Sequence, residues 1–158
     1  MSFEEGKLSA SKFFGEVKKI LNLRIGYDEF LPIWNEIFFL TEDNHALYNL
    51  ACSLKKHYTL VLLSNINQAH YEYIKKAFPV LDAFHHIFTS FELGLTKPAP
   101  EVYKSILKKL GVSAGDIFYT DDRPELVESA KRLGVRAFVY KGINQLKNDL
   151  IESGVNIN

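Results

Sequence analysis

The chain has 158 residues, 47% of them hydrophobic, 13% aromatic and 24% charged, a composition that fits one globular domain with a small appended element and excludes a disordered or fibrous protein. Nineteen Lys and Arg balance nineteen Asp and Glu, so no basic field favours nucleic acid or an anionic membrane, and any anionic ligand needs a local site. Cys52 is the one cysteine, which rules out an internal disulfide and suits a reducing compartment. The acidic, polar opening MSFEEGK is unlike a signal peptide, and apolar runs such as LVLLS are too short to span a bilayer. The expected location is the cytoplasm.

In chain order, Ser9 or Ser11 is positioned to cap a helix through about Leu21, with Phe13, Phe14, Val17, Ile20 and Leu21 at three- and four-residue spacings. A second helix is expected from about Asp28 to Phe39, with Pro32 near its start. A third begins near Thr41 or Asp43 and carries Leu47, Leu50, Ala51 and Leu54. Cys52 falls in this apolar stretch, where a buried, inert thiol is expected.

After Tyr58 the periodicity changes. Residues 58–63 (YTLVLL) form the nearly continuous apolar run of a parallel strand buried on both faces. A helix over 68–77, a strand over 87–90, a helix over 100–110, a strand over 117–120, a helix over 124–133, a strand over 136–140 and a helix over 143–152 follow. Gly111 and Gly134 stand where helices should end. Strands alternating with helices of about ten residues imply a doubly wound α/β fold with a parallel sheet, and there is no internal repeat. The expected division is a helical unit over residues 1–56 and an α/β core over 57–158.

Ligands of open α/β sheets bind beyond the carboxyl ends of the strands, and three polar clusters fall there. Ser64-Asn65 offers a hydroxyl and backbone N–H groups at a strand-to-helix turn, suited to a phosphate oxygen and equally to an ordinary turn. Lys97, in FELGLTKPAPEVY, is a point charge suited to phosphate, and the two prolines after it fix the chain just before a helix. Asp121-Asp122, in IFYTDDRP, sets two carboxylates side by side at a strand end. Their repulsion is relieved by a hard cation such as Mg²⁺, which takes one or two carboxylates and completes its shell with water and phosphate oxygens. Helix capping accounts for Asp122 ahead of Pro124 but not for both.

These three clusters, in this order and on these elements, resemble the haloacid dehalogenase-like superfamily. The resemblance implies that Ser64 and Asn65 hold phosphate, that Lys97 neutralises phosphate and nucleophile as the one catalytic side chain present, and that Asp121 with Asp122 holds Mg²⁺. It also implies that the helices after FEEGKLSASKFF form the cap that covers the site. The superfamily's first motif is an Asp-x-Asp ending the first strand, whose first Asp attacks phosphorus and whose second is the general acid and base. Asp28, Asp43, Asp82, Asp116, Asp121, Asp122 and Asp149 are the aspartates here, and no two are separated by a single residue.

The first expectation is therefore an N-terminally incomplete phosphatase. Its complete form would hydrolyse a small phosphorylated metabolite through an aspartyl-phosphate with Mg²⁺, while this chain alone is inactive. The alternatives are a non-catalytic phosphate or phospho-ligand binding protein and an interaction module. The metal-independent dehalogenase branch fits the paired carboxylates less well. In the superfamily the strand carrying the first motif lies mid-sheet, between those carrying Ser64 and Asp121. Either the remaining strands close on each other, or a homodimer or strand-completing partner fills the gap. Adjacent His85 and His86 on a strand point to opposite sides and suit a structural or solvated role. Trp34, Phe38 and Phe39 are read as core, with one or two free to face a substrate. No role is assigned to His45, His57 or His70.

Overall fold

The computed structural model describes residues 3–157. Its helices and strands, in order, are α1 (Ala10–Ile20), α2 (Tyr27–Asn35), α3 (Glu42–Leu54), β1 (Val61–Ser64), α4 (Gln68–Ala77), β2 (His86–Thr89), α5 (Ser90–Leu93), α6 (Pro100–Leu110), β3 (Phe118–Asp121), α7 (Pro124–Lys131), β4 (Arg136–Val139) and α8 (Ile143–Glu152). Short 3₁₀ turns at Pro79–Ala83 and Ala114–Asp116 complete it. The alternation of parallel strands and helices is the α/β class expected from the sequence.

Helix ends follow local chemistry. The side chains of Ser9, Thr41 and Asn67 accept the backbone N–H groups of Lys12, Asn44 and His70, so α1, α3 and α4 begin at capped residues. Pro100 and Pro124 occupy the first positions of α6 and α7, where a missing N–H removes no helical bond. Gly111 ends α6 with φ +68°. The second helix is shorter than expected. It stops at Asn35, Phe38 N–H returns to the Asn35 carbonyl, and the Phe38 ring meets His70 edge-on. At its other end α2 begins at Tyr27, which places Pro32 inside the helix rather than in its first turn.

The four strands form two separate parallel pairs. β1 pairs with β2 in register Val61–His86 through Ser64–Thr89, and β3 pairs with β4 from Phe118–Arg136 through Asp121–Val139. No pairing joins β1 to β3 among the described residues, so the remaining strands have not closed on each other. Helices cover both faces of the β3–β4 pair. On one, Tyr103 of α6 and Val127 and Ala130 of α7 pack with Val135 and Ala137. On the other, Leu50 of α3 meets Leu146 and Leu150 of α8 over Phe118. Leu63 of β1 packs into the first of these clusters and so links the two pairs.

The first two helices form an aromatic unit. Phe13 and Phe30 lie 5.0 and 5.7 Å from Trp34, and Phe3 stacks on Phe13 at 4.4 Å. It sits on α4 and α5. The Trp34 ring lies 3.8 Å from the His70 ring, and the Ser90 hydroxyl donates to the Glu4 carbonyl at 2.6 Å. α3, by contrast, buries Leu50 against α8, so its packing is with the strands although it lies within residues 1–56.

Candidate active site

The carboxyl ends of β1 and β3 converge on one buried lysine. Lys97 lies in the loop after α5, and the Asn65 carboxamide fixes its backbone twice. Asn65 Nδ2 donates to the Lys97 carbonyl at 2.8 Å, and Lys97 N–H donates to Asn65 Oδ1 at 2.8 Å. The next residue is held too, since Ser129 of α7 donates its hydroxyl to the Pro98 carbonyl at 2.6 Å. With its backbone clamped, Lys97 sends its side chain inward. Nζ reaches Asp121 Oδ2 at 2.6 Å and the Tyr119 hydroxyl at 3.3 Å, with the lysine and aspartate side chains only 7% and 9% exposed.

Tyr119 closes this triangle, donating its hydroxyl to Asp121 Oδ2 at 2.7 Å. Successive strand residues alternate faces, so Tyr119 and Asp121, two apart on β3, point the same way. The other carboxylate oxygen, Oδ1, accepts the Arg123 backbone N–H at 3.1 Å. Burial pushes the Asp121 carboxyl up, but hydrogen bonds from Lys97 and Tyr119, with the lysine charge, outweigh it and hold the pKa below the usual range. Burial and the Asp121 carboxylate raise the Tyr119 phenol, so it stays protonated and remains a donor.

The expected residues thus divide. Asn65, Lys97 and Asp121 are brought together. Ser64 ends β1 half-buried, and Asp122 is exposed beside Asp121. The Asn65 side chain is committed to Lys97, which leaves its backbone for a ligand. Sequence reasoning missed Tyr119, which reads as strand core; its two-residue spacing from Asp121 was the available signal. His85 has a structural bond, its Nδ1 accepting Leu60 N–H at 3.1 Å, while His86 is exposed. Phe39 is 71% exposed, whereas Trp34 belongs to the aromatic unit. Cys52 is half-buried.

No group of three or more His, Cys, Asp or Glu able to hold a metal occurs among the described residues. Two adjacent carboxylates at one strand end are nevertheless a sufficient protein contribution for Mg²⁺, which keeps several waters and takes phosphate oxygens. Asp121 and Asp122 are the two carboxylates at this strand end that such an ion would take, with Asp121 already accepting from Lys97, Tyr119 and the Arg123 backbone.

A family model described as haloacid dehalogenase-like hydrolase matches residues 27–134. The chain belongs to the haloacid dehalogenase-like hydrolases. Among curated relatives, a D-ribitol-5-phosphate phosphatase of Bacteroides thetaiotaomicron is 28% identical over 141 residues, covering 85% of this chain and 68% of that protein. Flavin mononucleotide hydrolase 1 of Arabidopsis thaliana is 34% identical over 70 residues, 44% of this chain and 29% of its own length. A Bacteroides thetaiotaomicron enzyme of the same family, solved with magnesium and inorganic phosphate, superposes with TM-score 0.80 at 23% identity, covering 89% of this chain and 74% of that one. A predicted hydrolase of the family from Porphyromonas gingivalis gives 0.79 at 21% identity, covering 94% and 77%. The last two show the shared fold. No helix among the described residues of this hydrolase-family chain is long and apolar enough to cross a membrane.

Proposed function

We infer that this chain carries most of the phosphate site of a Mg²⁺-dependent phosphatase acting on a small phosphate monoester, and that by itself it does not turn over. The observation that supports this reading is the buried Lys97–Asp121–Tyr119 triangle at the ends of β1 and β3. A lysine this buried is normally retained only when paired, and here it is aimed at the strand ends where α/β folds bind ligands. The relatives with phosphatase and flavin mononucleotide hydrolase activities favour phosphate esters of small polyols or nucleotides over larger substrates.

In this reading Lys97 supplies positive charge to the phosphate, and Asn65 and Ser129 keep it in place. The Ser64 hydroxyl and the backbone N–H groups after it hold phosphate oxygens. Tyr119, always protonated, fixes one Asp121 oxygen, and Asp122 adds a second carboxylate. Magnesium, when bound to these carboxylates, supplies charge neutralisation on the phosphate oxygens. α1 and α2 act as the cap, whose docking on α4 and α5 excludes water. No Asp-x-Asp occurs in the 158 residues, so the chain has positioning and electrostatics without an attacking carboxylate or its acid–base partner.

The expected outcome is that the purified chain binds inorganic phosphate in the presence of Mg²⁺ by calorimetry, that Lys97→Met abolishes the binding, and that ribitol 5-phosphate is not hydrolysed above buffer. Turnover that Asp121→Asn abolishes would overturn the inactivity. Absence of Mg²⁺-dependent phosphate binding would overturn the phosphate site.

A further inference from the structure

The link between α2 and α3 does not have the surface of a solvated loop. Ile37, Phe39 and Leu40 are 58%, 71% and 41% exposed, and Ile33, one turn earlier, is 57% exposed. Exposed apolar residues scattered singly are normal, but four of them within residues 33–40 form a patch of the kind that marks an interface. The patch borders an apolar groove of about 230 Å³ between α3 and α4, with Leu47 and Ala51 of α3 on one side and Ile74 of α4 on the other. Neither β1 nor β3 contributes a residue to it among those described, so it is separate from the gap between the strand pairs.

The two helices run the same way along the groove. Phe38 marks the end where they start, since its ring meets His70 and Tyr73 of α4 and α3 begins shortly after it. Phe84 marks the end where they finish, where Lys55 Nζ, just past α3, donates to its carbonyl at 3.3 Å. Parallel helices give the groove two poles. Exposed Glu36 and Glu42 flank the apolar link at the starting end, and exposed Lys75 and Lys76 occupy the last turn of α4 at the other. Glu42 at a helix start and the lysines at a helix end have the signs that helix dipoles favour.

We propose that this face pairs with the same face of a second copy of the chain, the Phe39 ring of each entering the groove of the other. A two-fold interface uses one patch on both copies, so it needs a knob and a hole side by side. Phe39 is the knob and the groove beside it is the hole. At about 230 Å³ the hole exceeds the roughly 150 Å³ that accommodates benzene, so one phenyl ring fits. The same two-fold axis, crossing the middle of the groove, lays the acidic end of each copy on the basic end of the other. Opposite charges so placed fix the register of the pairing, and a net charge of zero leaves no overall repulsion between copies.

This inference goes beyond the phosphatase reading and fails separately from it, because association is read without phosphate. Sedimentation of the full chain is followed from about 1 to about 100 μM, the range of weak to moderate self-association. The expected result is a concentration-dependent shift from monomer to dimer. Phe39→Ser should weaken it at least about tenfold, with the circular dichroism spectrum and thermal midpoint unchanged because the ring is exposed in the monomer. Lys75→Glu with Lys76→Glu, and separately Glu36→Lys with Glu42→Lys, should each leave the chain monomeric, because like charges then face each other. An equimolar mixture of these two double variants should associate, since both charged contacts return with their signs exchanged. No folding defect produces such a rescue. A wild-type chain still monomeric at about 100 μM would overturn the proposal and leave the groove to a different partner. Undiminished association of Phe39→Ser would overturn it too, as would a mixture that associates no more than its two components.

Discussion

At the scale of single residues, the site is organised by a charge that has nowhere else to go. Lys97 and Asp121 are both nearly inaccessible, and removing one partner of such a pair strands the other in a poorly solvating interior. Asp121→Leu should therefore destabilise the chain by about 3 kcal/mol, while the double change Lys97→Met, Asp121→Leu should recover most of that loss. Urea unfolding of the three variants checks it; an additive double mutant would mean that the ions are independently solvated. His70 gives a second prediction. Asn67 Nδ2 lies 3.1 Å from its Nδ1, which places the proton on Nε2, a buried atom without a partner. Burial lowers the His70 pKa from 6.5 to about 4. The unfolded chain then takes up a proton that the folded chain refuses, so this residue's share of stability is present above pH 6.5 and is lost as pH falls toward 4. Trp34, the single tryptophan, packs against His70 with ring centroids 3.8 Å apart and is a built-in reporter. His70→Phe should flatten the slope of stability against pH in that window and remove a fluorescence change near its lower end. An unchanged slope would show that His70 is not the group titrating.

At the scale of elements, what could be read from sequence depended on whether an element's ends have their own chemistry. α4, α6 and α8 lie at 68–77, 100–110 and 143–152, as expected, because two are bounded by a cap or an entry proline and all three carry an amphipathic period. The strands were displaced because apolarity alone marks no end. Tyr58 begins an apolar run, yet its backbone N–H closes the turn after α3 onto Leu54 and its hydroxyl accepts Asn156 N–H, so β1 starts only at Val61. β3 runs one residue further than its apolar stretch, because Tyr140 N–H pairs with the Asp121 carbonyl and draws Asp121 into the ladder. The turn before α1 left no periodic trace at all, being defined by one glycine. Gly6 has φ +69°, and a Cβ there would lie 2.5 Å from the Phe91 carbonyl oxygen, whereas Gly94 has φ +67° with nothing within 4 Å. Both should lose about 1 kcal/mol on change to Ala for the left-handed backbone, but Gly6→Ala should lose clearly more because the turn must lift from α5. Equal urea midpoints would show that the 3–7 turn is not seated on α5.

At the scale of the whole molecule, two half-sheets are joined at their facing strands by side chains that cross where backbone does not. Polar crossing occurs through Asn65, Lys97 and Asp121, and apolar crossing through Leu63, which leaves β1 to pack with Tyr103, Val127 and Ala137. A leucine in an ordinary core position reports on its own neighbourhood; Leu63 should report on both halves. Leu63→Ala is expected to destabilise by about 2–4 kcal/mol through lost contacts and the cavity left behind. It should also raise amide exchange in 61–64 and in 118–121 together. Leu146→Ala, which opens the α3–α8 cluster on the opposite face over Phe118, should match it in magnitude yet spare 61–64. The contrast follows from topology. With no ladder between β1 and β3, opening of one half propagates to the other through side chains that span them, and cutting the apolar one loosens units that a continuous sheet would keep in step. If both variants loosen all four strands equally, the coupling runs through the helices instead, and the division into two half-sheets has no bearing on how the molecule unfolds.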